Sequence, residues 1–188
     1  MSALVFLAPG FEEIEAITVI DILRRAEIET IVAGLTTNPL PAARHTRHLA
    51  DIHLADVDPT REFEIVILPG GAEGAKRLGQ SPLVRDWLLR QRERDRWVAA
   101  LCAAPVALLV LGWLRPEQKI IAHPSVQDRF PAGQVRADQR VVVDGKLITS
   151  LAAGSAMEFA FEIVRRLRGP EAVAKVNQGV CARVDASS

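Results

Sequence analysis

The hydrophobic pattern alternates between two periods from the start of the chain. Ala3–Ala8 is a continuous apolar run, as expected of a parallel strand covered on both faces. Pro9-Gly10 then turns the chain. From Glu12 to Ala26 the residues Ile14, Ile17, Val19, Ile20, Ile22 and Leu23 crowd one broad helical stripe. Arg24 and Arg25 fall in its last turn, where cations complement the helix dipole. Glu29–Ala33 predicts a second strand. Thr36–Arg61 is less regular, with Pro39, Pro41 and Pro59, and reads as a long connection holding a short strand or two. Glu64–Leu68 predicts a buried strand stopped by Pro69-Gly70-Gly71. Ser81-Pro82 is an N-cap followed by proline at the first helical position. Val84, Trp87, Leu88 and Gln91 carry that helix to the charges at Arg94–Arg96.

Trp97–Leu101 predicts another strand, Ala103–Leu111 a helix and Lys119–Ala122 a short strand. Arg140–Val143 and Lys146–Thr149 flank Asp144-Gly145, the strongest hairpin signal in the chain. Ser155–Leu167 is an amphipathic helix closed by Gly169-Pro170, and Glu171–Gln178 predicts a last helix. There is no internal repeat, low-complexity stretch or linker. The expected architecture is one domain over residues 1–188, a doubly wound α/β sandwich with a mostly parallel sheet and an added β-hairpin.

Charge narrows the partners. Lys+Arg and Asp+Glu both number 23, so the formal net charge is zero and bulk charge draws the chain to neither nucleic acid nor an anionic membrane. A mixed surface suits a small-molecule enzyme or protein partners. Trp97–Leu114 contains no charged residue and so reaches the ~18-residue minimum for a membrane span. Its strand-like opening, Pro105 and Gly112 suit a buried strand running into a buried helix instead. The first residues lack a basic region and soon meet Glu12, Glu13 and Glu15, unlike a signal peptide. Cys102 and Cys181 read as two reduced thiols, and the expected compartment is the cytoplasm.

Ligands of such folds bind beyond the carboxyl ends of the parallel strands. The segments placed there are Pro9–Glu15, Pro69–Ala72, Cys102–Pro105 and His123-Pro124. They bring a carboxylate cluster, a glycine pair, a thiol and an imidazole to one rim. Cys102 sits between a strand and a helix opening, where a sharp turn exposes a nucleophile and the helix N-terminus favours thiolate. The alternative is a small buried hydrophobe, the common fate of a free cysteine. Gly70-Gly71 is either a plain turn or a backbone donor to an oxyanion hole. Glu12 and Glu13 fit the helix dipole, whereas Glu15, flanked by Ile14 and Ala16-Ile17, is expected to point inward beside the thiol and hold a proton. His123 is a general-base candidate or a structural histidine. His45, His48 and His53 lack a partner cysteine, so no metal is expected. Pro69–Gly74 lacks the Lys-Ser/Thr pair of a phosphate-binding loop.

In order along almost the whole chain, these segments resemble the ThiJ/PfpI superfamily, in the branch of the Parkinson-linked protein deglycase and the bacterial ThiJ-like deglycases. The carrying stretches are Ala3–Glu15, Leu68-Pro69-Gly70-Gly71, Ala100–Pro105 and Ile121–Pro124. Arg24–Ala26, Val32–Leu35 and the hairpin running into Ser150, Gly154-Ser155 and Glu158–Ala160 add to them. The resemblance implies a flavodoxin-like fold that forms a homodimer and uses no cofactor. It implies Cys102 as nucleophile, Glu15 as its protonated acid, His123 nearby, and Gly71 and Ala103 as oxyanion-hole amides beside Gly70. Arg44 would reach the site from the partner subunit. The implied activity is glyoxalase or deglycase chemistry on methylglyoxal, related dicarbonyls or their adducts. The alternatives are a redox sensor or stress chaperone in which Cys102 becomes a sulfinate, and an intracellular peptidase. The chain departs from the family at Leu151-Ala152-Ala153 and at Ala72, changes expected on the pocket wall.

Overall fold

Every long parallel strand divides its side chains between two cores, which is why the strands read as unbroken apolar runs. The computed structural model describes residues 1–183. In β1 (Ser2–Leu7), Ala3, Val5 and Leu7 enter one core while Leu4 and Phe6 enter the other. β6 (Ile65–Leu68) splits the same way into Ile65 and Ile67 against Val66 and Leu68. β7 (Trp97–Leu101) sends Ala99 and Leu101 to the first core and Val98 and Ala100 to the second. Side chains alternate along a strand, so a sheet buried on both faces needs apolar residues at every position.

The sheet has seven strands in the order β5-β2-β1-β6-β7-β9-β8. β2 (Glu29–Gly34) and the two-residue β5 (Ile52–His53) lie on one side of β1. β6, β7 and β9 (Leu147–Ser150) follow in parallel on the other side, and β8 (Val141–Asp144) closes the edge antiparallel to β9. The chain therefore reverses direction across the sheet between β1 and β6, the switch point at which such folds form their crevice. A separate antiparallel pair, β3 (Leu40–Pro41) and β4 (Arg47–His48), lies within the long connection.

The first core is roofed by α1 (Glu13–Arg25), α5 (Ala156–Arg168) and α6 (Pro170–Val180). The second is roofed by α3 (Pro82–Glu93) and α4 (Pro105–Val110), with Trp87, Leu88 and Leu108 buried. α1 buries Ala16, Val19, Ile20, Ile22 and Leu23 but leaves Ile14 and Ile17 at 58% and 40% exposure. The uncharged stretch from Trp97 divides into β7 and α4. No helix among the described residues is long and apolar enough to cross a membrane.

Three expectations change. The segment Lys119–Ala122 is not a sheet strand: Ile120 makes one isolated bridge to Val135. Its apolar residues are buried, with the Ile121 N–H held by the Thr149 hydroxyl at 2.9 Å, so burial imitated a strand. A helix over Ala72–Gly79, α2, follows the glycine pair where only a turn was expected. In the hairpin Asp144 pairs with Leu147, so the two-residue turn is Gly145-Lys146, one residue later than Asp144-Gly145.

Candidate active site

The carboxyl ends of β1, β6 and β7 lie side by side, and a cleft of ≈ 900 Å³ opens over them. Cys102 follows β7 directly and adopts φ 64°. A left-handed backbone at a residue with a Cβ costs about 1–3 kcal/mol and persists only where its surroundings impose it. Here they do: the Cys102 N–H donates to the Ser150 carbonyl at 2.9 Å, and the Cys102 carbonyl accepts the His123 N–H at 2.8 Å. The bend lifts the half-buried thiol out of the sheet and into the cleft.

Glu15 is brought beneath the thiol by the start of α1. The Glu12 carboxylate caps that helix, accepting the Glu15 N–H at 2.9 Å. Glu15 then faces inward and is fully buried, as its apolar neighbours in sequence foretold. Its Oε2 accepts the Gly70 N–H at 2.8 Å, while Oε1 has no formed hydrogen bond among the described residues. Burial, helped by the charge of Glu12, pushes the Glu15 carboxyl up to about 7; the Cys102 thiol and the Gly70 amide pull against that rise.

The thiol is pushed up to about 12, first by burial and then by the charge of Glu15. The backbone amides of Gly71 and Ala103 oppose this by hydrogen bonding to the sulfur. This reverses the expectation of a thiol depressed by the helix N-terminus. α4 begins only at Pro105, and burial together with the neighbouring carboxylate outweighs two amides. The two groups titrate as a pair. When Glu15 holds the proton, the same contact changes from charge repulsion to a hydrogen bond donated to the thiolate.

The glycine pair is required by close approach. A Cβ on Gly70 would lie 2.7 Å from the Cys102 Cβ and 2.8 Å from the Leu101 carbonyl oxygen, and would overlap the Glu15 carboxyl. Gly71 has φ 88° and caps α2, so its amide turns toward the sulfur. Gly71 and Ala103 thus approach one atom from the ends of two neighbouring strands.

His123 shares the cleft with Cys102. Its Nδ1 accepts the Ser125 N–H at 3.2 Å and lies 2.8 Å from the Ser125 hydroxyl. The neutral ring therefore carries its proton on Nε2, which makes that nitrogen a donor. Arg44, expected from a partner subunit, already lines the cleft of its own chain. Its N–H donates to Glu13 Oε1 at 2.7 Å. His48 meets Thr46 at 2.9 Å and stacks edge-on with Phe11, whereas His53 caps a short turn at Ala55. Among the described residues no group of three histidine, cysteine or acidic side chains is arranged to hold a metal. Ala72 lines the cleft, but Leu151, Ala152 and Ala153 do not, so that departure falls outside the pocket wall. Sequence reasoning missed Ser125, Lys76 and Arg129. Only the position of Ser125, two residues after a histidine that opens a turn, signalled it.

The DJ-1/PfpI family profile matches residues 1–166. The chain belongs to that family. It is 39% identical over 177 residues to a Parkinson disease protein 7 homolog of Danio rerio, covering 93% of each chain. It is 35% identical over 182 residues to the glutathione-independent glyoxalase DJR-1.2 of Caenorhabditis elegans, covering 96% of each. Among solved structures, DJ-1beta of Drosophila melanogaster superposes with a TM-score of 0.92 at 40% identity, covering 96% of this chain and 97% of that one. An oxidized DJ-1 of Toxoplasma gondii gives 0.91 at 32% identity, covering 97% and 98%. The DJ-1 fold thus accounts for the sheet, its flanking helices and the appended hairpin.

Proposed function

We propose that the protein is a cofactor-independent glyoxalase or deglycase-type enzyme acting through Cys102 on methylglyoxal, related dicarbonyls or their adducts. The observation that carries this reading is the pairing of a buried, proton-holding Glu15 with a thiol whose sulfur receives the Gly71 and Ala103 amides. A family relative named as a glutathione-independent glyoxalase supports it. In the proposed sequence the Cys102 thiolate adds to the aldehyde carbon of methylglyoxal, and the new alkoxide takes the proton held by Glu15 to give a hemithioacetal and leave Glu15 as carboxylate. Glu15 as carboxylate removes the proton from that carbon and returns it to the neighbouring carbon, while the hemithioacetal hydroxyl proton passes to the ketone oxygen, leaving the thioester of lactate. Water hydrolyses the thioester, releasing lactate and the thiol. In this reading His123, which shares the cleft with Cys102, donates from Nε2 to the oxygen that gains charge.

Lactate formation from methylglyoxal by the wild type and by Cys102→Ser tests the reading. Turnover that disappears in Cys102→Ser supports it; equal turnover in both sinks it. The redox-sensor reading is favoured by one observation, the half-buried thiol of Cys102 in a family with a relative described as oxidized. It gains if neither protein forms lactate while peroxide converts Cys102 to the sulfinate.

A further inference from the structure

The cleft is far larger than a triose-sized dicarbonyl needs. At ≈ 900 Å³ it lies near the upper end of the range of drug-sized ligand sites, roughly 300–1,000 Å³. Beyond Cys102 its lining turns apolar, with Ala75, Ala107 and Val110 along the groove between α2 and α4. The polar groups around this groove are unbalanced. Among the described residues Lys76 on α2 and Arg129 on the turn after His123 form no ion pair or side-chain hydrogen bond, and the Arg44 side chain reaches only the carbonyl of Ala43. The two acids of the same lining are both engaged. Glu12 caps α1, and Glu73 pairs with Arg77 at 2.9 Å.

We propose that this groove selects carbonyl substrates whose remote end carries an anion, a carboxylate or a phosphate, with Lys76 and Arg129 as the specificity-determining residues. The proposal rests on Cys102 as the attacking group of the function proposed above. Cations held over a low-dielectric groove concentrate anions near the reacting atom, and unpaired cations do so without first breaking a bond to the protein. The apolar floor accepts the chain that joins the anion to the carbonyl.

The test uses the thiol itself and needs no turnover. In a Cys181→Ser background, which leaves one thiol, Cys102 is alkylated by iodoacetate and by iodoacetamide. The ratio of the two rates cancels the thiolate fraction and reads only the charge that the reagent meets. At low ionic strength the ratio is expected to exceed that of a small neutral thiol by about tenfold. It should fall toward parity at about 1 M salt, where screening reaches ~3 Å, and in the Lys76→Gln/Arg129→Gln double variant. Glu12 and Glu15 acting alone would push the ratio below that of the free thiol. A ratio at or below the free-thiol value, or one that the double substitution leaves unchanged, overturns the proposal. Protection of Cys102 from iodoacetamide by butyrate, butyl phosphate and butanol then identifies the anion. Protection by either anion supports the proposal, and protection by none or equally by butanol overturns it. Absence of lactate formation from methylglyoxal defeats the catalytic reading without altering these ratios, so the two failures are distinguishable.

Discussion

The Gly70 amide donates to the buried carboxyl of Glu15 at 2.8 Å, and no side chain at position 70 is compatible with that bond. The contact ties the end of β6 to the first turn of α1. It fixes where the carboxyl stands relative to the sulfur of Cys102.

Gly70→Ala therefore acts on the site and on the fold together. Overpacking at a fixed backbone costs about 1–3 kcal/mol, and here the displaced group is the acid. The expected result is a lower urea midpoint together with a changed pH dependence of Cys102 labelling. Gly154→Ala, where a Cβ meets nothing within 4 Å, is the matched control and should leave both unchanged.

The pair of Glu15 and Cys102 should lose its first proton near pH 7, whichever atom releases it. With Glu15 keeping its proton, as the proposed function requires, that first proton comes from the thiol, and iodoacetamide labelling of Cys102 is expected to rise through about pH 7. In Glu15→Gln only the thiol remains to titrate, and the inflection should move up by at least about one unit, some 1.4 kcal/mol in proton affinity. An inflection that stays near 7 in Glu15→Gln would show that the carboxyl is not the coupled partner.

Stability should carry the same signature with a definite sign. The folded carboxyl of Glu15 titrates at about 7 against 4.5 for an ordinary glutamate. Between those values the native state binds more protons than the unfolded chain, so stability falls as pH rises from about 4.5 through about 7. The loss attributable to this group reaches about 3 kcal/mol above that window. Glu15→Gln keeps an acceptor for the Gly70 amide and removes the buried charge. Its melting temperature should exceed that of the wild type at pH 8, and the difference should vanish near pH 4. A variant less stable than the wild type at pH 8 contradicts the assignment.

Ile14 and Ile17 stand exposed on α1 although the opposite face of that helix is fully packed. The proposal that follows is a homodimer formed across this face. Light scattering at micromolar concentration should give a dimer mass for the wild type and a monomer mass for Ile14→Lys/Ile17→Lys. A monomeric wild type refutes it.

The sequence carried much of this because burial on both faces leaves a strong mark. β1, β6 and β7 are visible as apolar runs, and Glu15 is visible as an acid among isoleucines and alanine. What remained hidden depends on contacts between distant segments. α2 contains Gly74 and Gly79, which weaken its helical propensity, and its start is fixed by the Gly74 N–H donating to the Gly10 carbonyl at 3.2 Å. β3, β4 and β5 are two residues each, too short for any period to show. Glu15 beside Cys102 was legible, but the raised thiol was not, because the burial that raises it is a tertiary fact. The unpaired state of Lys76 and Arg129 belongs to the same class.

The sulfur of Cys102 receives one amide from beyond the end of β6 and one from beyond the end of β7, strands in which Leu68, the last residue of β6, pairs with Ala100. Its nucleophilicity is thus a gauge of how those two strand ends sit against each other. A small shear between β6 and β7, caused by a distant core substitution, by heat or by pressure, would detune the thiol before the sheet itself gave way. The rate at which Cys102 reacts can serve as an internal strain meter for the centre of the molecule.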